Sequence, residues 1–331
     1  MTGVSILICC YNAAARITPT LQHLQKQQFS EAINWEVIVV DNASTDNTSE
    51  IAKKVWEKNP VTELVQLREE KLGVMNARFS GINKAKYSII SFVDDDNWVE
   101  EEWVSKVHRV FAADNQIGAC GGKIEAVFNG SPPAWFHLFT NYFAVGKQGD
   151  ESSYVDESRG YLWGAGLSFR KSLWEELQKR GFKNFNLSRK GDRTGAGEDS
   201  ELCFAFRLLG YHLYYHNDLT LRHFITERRM HFSYLEKIFE GFGRSNVYLD
   251  CYRVLLSPGT ARLNSWWYEV MVMGKNIIRE TLISVLSPSQ ANRWKAKAQR
   301  AYWKGYAVEA LKVKSRTQQI VDDLRKMFYP E

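Results

Sequence analysis

The sequence predicts an α/β chain: a mostly parallel central sheet flanked by helices, followed by a helical carboxyl-terminal extension. Three observations carry that expectation. Short β-rich apolar runs alternate with helix-period segments through the first hundred residues, the order that yields a parallel sheet covered on both faces. Four of those runs end in polar clusters, "YNAAA", "DNASTDN", "REEKLG" and "DDDN", and the ligand crevice of such sheets lies outside the carboxyl ends of the strands. Beyond residue 230 the segments are long and helical in period.

Taken in order, Val4 to Cys10 is an apolar strand and Ile17 to Gln27 a helix-period segment. Trp35 to Val40 and Asn47 to Glu57 repeat the pair, as do Glu63 to Leu67 and Val74 to Asn83. Ser88 to Val93 is the fourth strand. A helix follows near Glu101 to Ala113, then a strand from Ala119 to Val127. Asn129 to Tyr161 is long, polar and aromatic, with Pro132 and Pro133; its Trp, Phe and Tyr density argues against simple disorder and for an acceptor-side flap. Leu162 to Phe169 reads as a strand and Lys171 to Arg180 as a short helix. "NLSRKGDRTGAG" is a charged, Gly-rich loop. "EDSELCFAFRLLG" places Leu202, Ala205, Phe206 and Leu209 on one helical face, with Gly210 suited to the turn past its end.

Composition sets the frame. A chain of 331 residues, 44% hydrophobic and 24% charged, can bury a sizeable core as one large domain with an extension, or as two domains. No uncharged apolar run reaches the roughly 18 residues of a membrane span, and "MTGVSILICCYNAAARI" lacks the order of a secretory signal, so a cytosolic chain is expected. Five scattered cysteines without a C-x-x-C pair agree with that compartment. The net charge of +5 is unevenly placed: residues 289 to 328 carry ten Lys or Arg against Glu309, Asp322 and Asp323, a local +7 that leaves −2 for the rest.

The carboxylates carry the chemistry. Two like charges about 4 Å apart repel by roughly 4 kcal/mol at an effective dielectric near 20, so Asp94, Asp95 and Asp96 need a screen. A solvated strand end with a helix-capping Asp is one answer. A hard divalent cation, Mg²⁺ or Mn²⁺, held by one or two carboxylates and a substrate's phosphates is the other. In extended chain Asp94 and Asp96 point the same way. Asp41, at the end of "WEVIVV", suits either an Asx-type turn or a carboxylate accepting the imino N–H of a uracil-like base.

Together the blocks "VSILICCYN", "EVIVVDNASTDNT", "GVMNARFSGI", "YSIISFVDDDNW", "GAGLSFRKSLWEEL", "GEDSELCFAFRLLGY" and "LRHF" resemble the inverting glycosyltransferases of family 2, of bacterial type, over about residues 3 to 225. The resemblance implies a GT-A, Rossmann-like catalytic domain over 1–230, with a nucleotide-sugar-binding half over about 1–115, an acceptor-side half over 116–230, and a helical extension over 231–331. It implies that Tyr11, Asn12 and Asp41 cradle base and ribose, that Arg78 is a donor-side basic residue, and that Asp94 faces the ribose. Asp96 would bind Mn²⁺ or Mg²⁺, with Asp95 as a supporting neighbour on the donor side. His223, in "LRHF", matches a metal or pyrophosphate contact, although a lone His at a strand end also serves structure alone. Asp199 matches the general base, with Glu198 as second choice. Trp163 and Gly164 match a segment beneath sugar and acceptor, with core packing the other reading. Phe79 stands where relatives often have Asn, a departure that touches how the donor loop is held and leaves the sugar unassigned.

The implied reaction is a single in-line displacement. A nucleotide-sugar, by family default a UDP-sugar, loses its diphosphate as a hydroxyl of a glycan or lipid-linked glycan attacks from the opposite face. The cation stabilises the leaving charge, and a carboxylate at a helix amino terminus takes the proton. The expected setting is surface polysaccharide or glycoconjugate synthesis.

The segment from 264 to 286 is apolar and helical in period, but Glu269, Lys275, Arg279 and Glu280 argue against a span. The next, with Trp294, Ala298, Tyr302 and Gly305 on one face, either packs on the catalytic domain or a second subunit, or lies on an anionic membrane, the inner face of the cell membrane. Nucleic-acid binding by this tail leaves the crevice carboxylates unexplained. A nicotinamide dehydrogenase lacks its G-x-G-x-x-G in "CCYNAAAR". A catalytically inactive relative serving as a nucleotide-sugar or glycan binding subunit is the remaining alternative.

Overall fold

The computed structural model describes residues 1–185, 197–257, 266–313 and 316–330. The expected loop at 186–197 lies outside the described residues except for Gly197. The chain divides into two compact units: Met1–Val127 with Ala144–Lys179 and Leu209–Ile225, and Phe128–Phe143 with Arg180–Leu208 and Thr226–Glu331.

In the first unit, β1 (Val4–Cys10), β2 (Trp35–Asp41), β3 (Glu63–Arg68) and β4 (Ile89–Phe92) alternate with α1 (Ile17–Leu24), α2 (Thr48–Glu57) and α3 (Val74–Lys84). The strands run parallel in the order β3-β2-β1-β4. β2 is buried throughout, as expected for parallel strands covered on both faces. Val4, Ile6, Ile8, Val37 and Val39 join one core with Leu21 and Leu24 of α1 and Trp56 of α2. Burying each such side chain contributes about 1.5–3 kcal/mol.

Past β4 the sheet becomes mixed. The chain continues through β5 (Asn97–Val99), α4 (Trp103–Ala113), β6 (Ile117–Phe128), β7 (Ser153–Tyr154), β8 (Ser168–Arg170), α5 (Lys171–Lys179) and, after the second unit's α6 (Glu198–Leu208), β9 (His212–Ile225). β8 pairs antiparallel with β4 and β6, and β9 antiparallel with β5 and β7, extending the order to β3-β2-β1-β4-β8-β6-β9-β5. The strand expected over Leu162 to Phe169 is shorter: pairing starts at Ser168 because the chain turns at Gly164 to Gly166. Gly166 takes φ +75°, and a Cβ there would meet Leu221 and Trp103. Asn97–Val99, hidden behind the Asp triplet, is a strand only through its pairing with β9.

The second unit is helical: α6, α7 (Phe232–Leu256), α8 (Trp266–Leu286), α9 (Gln290–Val313) and α10 (Thr317–Phe328). The aromatic stretch expected to be a flap contributes Trp135, Phe136, Phe139 and Phe143, buried together and against Phe232 and Phe239 of α7. α7 and α9 approach closely at Gly243 and Gly305, where an added Cβ would overlap the Tyr302 and Glu240 carbonyl oxygens. The Ala298–Tyr302–Gly305 face therefore packs on α7. Among the described residues no helix is long and apolar enough to cross a membrane.

Candidate active site

The loops after β1 and β2 are clasped by hydrogen bonds. Asn12, at φ +48°, receives the Thr45 amide on Oδ1 (2.8 Å) and gives its own amide to Ser44 Oγ (3.0 Å). Asn tolerates this left-handed backbone better than most residues. The Ala13 amide donates to Thr48 Oγ1 at 2.8 Å, and the Ala14 amide to Asp46 Oδ2 at 3.1 Å. Tyr11 leaves its side chain outward, the residue being 41% exposed.

Asp41 is buried at the end of β2. Its Oδ1 accepts the Ser44 amide (2.9 Å), and its Oδ2 accepts Ser49 Oγ (2.8 Å) and Arg68 Nη1 (3.0 Å). Burial raises the carboxyl's pKa, but hydrogen bonds from Ser44 and Ser49 and the Arg68 charge outweigh it and hold Asp41 below the usual carboxylate range. The Asx-type turn is thus present, with an ionised carboxylate inside it.

The Asp triplet forms a turn: the Asn97 amide donates to Asp94 O at 3.0 Å, and the Asp94 amide to Asn97 Oδ1 at 3.3 Å. The three carboxylates have unequal surroundings. Asp95 is taken by Arg16, whose Nε and Nη2 donate to its two oxygens at 3.0 and 2.8 Å. The same guanidinium donates to Asn12 O (3.1 Å) and Tyr11 O (3.4 Å). Burial, with Asp96 and Asp94 adding to it, pushes the Asp95 carboxyl upward against Arg16. Asp95 thus ties the triplet to the Tyr11–Asn12 loop. Arg16, which completes the tie, was not among the residues singled out by sequence; its partner lies 79 positions away.

Asp96 meets His223 through strand register. Asn97 in β5 stands opposite His223 in β9, the Phe224 amide donates to Asp96 O at 2.8 Å, and His223 Nε2 lies 3.7 Å from Asp96 Oδ1. Both side chains are less than a tenth exposed. Asn97 Nδ2 donates to Asp96 Oδ1 at 3.1 Å and orients it. A carboxylate oxygen beside an imidazole nitrogen is a donor set that suits Mn²⁺, and Mg²⁺ less well because it prefers oxygen. Among the described residues no group of three or more His, Cys, Asp or Glu is placed to hold a metal, so a cation on this pair would draw further ligands from substrate oxygens or water.

Arg78, on α3, is buried with its guanidinium 4.4 Å from the centroid of Phe92. The Cys9 thiol, pushed up to about 12 by burial, lies within the opposing fields of Arg78 and of Asp94 and Asp95. Phe79 projects outward, edge-on to Trp174. Trp163 is part of the first unit's core, its amide donating to buried Gln148 Oε1 at 2.8 Å and its ring 5.0 Å from the Arg159 guanidinium. Gly164 opens the turn that follows. The first unit thus gathers Tyr11, Asn12, Asp41, Arg78, the Asp triplet and His223 around the carboxyl ends of β1, β2 and β4.

Glu198 and Asp199 belong to the second unit, where they occupy the first turn of α6; Glu198 is buried and Asp199 half-buried. One turn on, fully buried Glu201 accepts from the Phe185 amide (2.8 Å) and Tyr252 Oη (3.0 Å) on Oε1, and from Asn184 Nδ2 (3.3 Å) on Oε2. Glu201 too escaped the sequence reading, because its partners are far along the chain.

Comparison with known proteins identifies the family and the fold. The family model described as "Glycosyl transferase family 2" matches residues 5–177. The poly-β-1,6-N-acetyl-D-glucosamine synthase of Staphylococcus aureus is 30% identical over 122 residues, 37% of this chain and 28% of that protein. Glycosyltransferase AglE of Haloferax volcanii is 29% identical over 140 residues, 42% of this chain and 45% of that protein. The matches therefore span less than half the length of these relatives. Among solved structures, mannosyltransferase PcManGT from Pyrobaculum calidifontis, in complex with GDP-Man and Mn²⁺, superposes with TM-score 0.57 at 18% identity over 93% of this chain and 86% of that one. S. aureus TarS 1–349 in complex with UDP-GlcNAc gives 0.51 at 17%, over 95% and 92%. These similarities establish a GT-A fold, and the family match covers more than half of the sequence: the chain belongs to glycosyl transferase family 2.

Proposed function

We propose that this chain is an inverting, metal-dependent glycosyltransferase that moves a sugar from a nucleoside diphosphate donor, by preference a UDP-sugar, to a hydroxyl of a glycan or lipid-linked glycan in surface polysaccharide or glycoconjugate synthesis. The observation that carries the reading is the buried Asp96–His223 pair at 3.7 Å, tied through Asp95 and Arg16 to the loop after β1. The UDP-GlcNAc complex of TarS and the GDP-Man and Mn²⁺ complex of PcManGT support a nucleotide-sugar and a divalent ion as the ligand classes.

In this reading Asp41, Tyr11 and Asn12 receive base and ribose, Asp94 the ribose and Arg78 the donor's charge. Asp96 and His223 hold Mn²⁺ or Mg²⁺, which when bound would neutralise charge on the departing diphosphate. Asp199, with Glu198 as second candidate, accepts the proton of the attacking hydroxyl. The Trp163–Gly164 turn lies on the sugar side, where small residues permit close approach.

The test is a nucleotide-sugar panel with and without Mn²⁺, read by thermal shift, donor hydrolysis and anomeric product analysis. Asp199→Asn should lower transfer by roughly 10²–10⁴ while UDP binding persists. Wild-type turnover in that variant would remove the base assignment. Donor binding without transfer or hydrolysis by the wild-type chain would favour a binding subunit instead.

A further inference from the structure

α8 is built inside out. Met273, Glu280 and Ser284, spaced seven and four residues apart, are its buried side; Met273 packs with Val247 of α7 and Ala310 and Val313 of α9. Two of those three inward residues are polar. The outward side carries Tyr268, Met271, Ile278, Leu282, Val285 and Leu286, with exposures from 51% (Tyr268) to 73% (Leu286). Steps of three and four residues keep most of them in one line along the helix. Their combined area is on the order of several hundred Å², at or above the roughly 300–600 Å² of the largest apolar patch on a typical monomer.

The charges around this stripe have one sign. The exposed charged side chains of α8 are Lys275 and Arg279, and those of α9, which packs on α8, are Lys295, Lys297, Lys304 and Lys312. The acids of the pair are withdrawn: Glu280 and Glu309 are buried and Glu269 is half-buried. Arg279 Nε donates to Glu280 at 2.9 Å, so Lys275, inside the stripe, is its least compensated cation.

We infer that the outer face of α8 docks on an anionic lipid bilayer, lying in the headgroup boundary with the lysines of α9 beside it. An interfacial helix buries an apolar face at the acyl boundary and gains from anionic headgroups, and this face supplies both terms. A bilayer span is not available to it, since no described helix is long and apolar enough. A second copy is the poorer occupant. A twofold pair would lay the stripe on itself and bring Lys275 against a face whose exposed charges are all positive, a like-charge arrangement that interfaces avoid. The inference stands apart from the donor site and adds a partner to the helical unit.

The experiment is cosedimentation of the full chain with phosphatidylcholine vesicles and with phosphatidylcholine–phosphatidylserine vesicles, across a salt series. The chain should partition on the anionic vesicles, and removing one cation in Lys275→Gln should weaken binding roughly fivefold. Ile278→Glu/Leu282→Glu should weaken it more than tenfold. Circular dichroism melting and UDP binding, both unchanged in these surface variants, separate loss of docking from loss of fold or of the donor site. Partitioning of the double Glu variant like wild type, or no partitioning of the wild-type chain on anionic vesicles, would overturn the inference. So would a dimer by light scattering that the Glu substitutions split.

Discussion

Removing Arg16 should expose what the middle carboxylate of the triplet costs. Arg16 and Asp95 make two charge-assisted hydrogen bonds, with side chains 28% and 11% exposed. Breaking a fully buried pair by deleting one partner costs about 3–5 kcal/mol, whereas an exposed pair is worth about 0–1; this pair lies between, near 2 kcal/mol. Arg16→Gln should therefore destabilise the first unit by about that amount, since it strands a buried carboxylate beside Asp94 and Asp96. Adding Asp95→Asn removes the stranded charge and should restore most of the stability, a double-mutant coupling of roughly 2 kcal/mol. Donor affinity should not recover with it. The guanidinium also holds the Tyr11 and Asn12 carbonyls, and losing those bonds should leave UDP binding weaker by roughly tenfold, the worth of about one hydrogen bond. The assay is equilibrium urea unfolding followed by two probes, paired with UDP titration calorimetry on the four chains of the cycle. A double variant no more stable than Arg16→Gln, or one with wild-type UDP affinity, would refute the reasoning.

Asp96→Asn and His223→Ala should each abolish the increment that Mn²⁺ adds to UDP binding while leaving the metal-free component, measured by calorimetry with and without chelator. Asp41 is held below its ordinary pKa of 3.8, so its contribution to stability is full above that value and lost as pH falls through its lower folded pKa; Asp41→Asn should flatten the acid limb of a melting profile below pH 3.8. Glu201→Ala should destabilise the chain by about 2–4 kcal/mol, because it leaves the Tyr252 hydroxyl and the Phe185 amide buried without their acceptor; Tyr252→Phe should cost about 1 kcal/mol in the same melts. Gly243→Ala should cost about 1–3 kcal/mol by forcing α7 from α9 at the Tyr302 carbonyl, read as an earlier melting transition by circular dichroism.

Local pattern was enough for the parallel half of the sheet. β1 to β4 and the helices between them fall within a few residues of the expected bounds, because a strand buried on both faces must be a continuous apolar run and the helices on it must repeat apolar positions near every third or fourth residue. The polar clusters that end those strands were legible for the same reason: β1, β2 and β4 are mostly apolar inside the sheet, Ser5, Glu36 and Ser91 aside, and turn polar where they leave it. The aromatic stretch near 135–143 was legible as ordered and not as helical-unit core, since its partners, Phe232 and Phe239, lie about a hundred residues on. The inside-out α8 kept its apolar composition in view and hid its direction.

What the sequence determined by itself was the alternation of elements, the crevice edge, the family's blocks and the cationic tail, all of them properties of neighbouring residues. What only the tertiary structure decided was pairing. Asp95 became the anchor of Arg16, and Asp96 the neighbour of His223 through the register of β5 on β9. A carboxylate's role depends on which cation, donor or strand arrives beside it. In a folded chain those partners come from 79 or more positions away, at distances that no local spacing encodes.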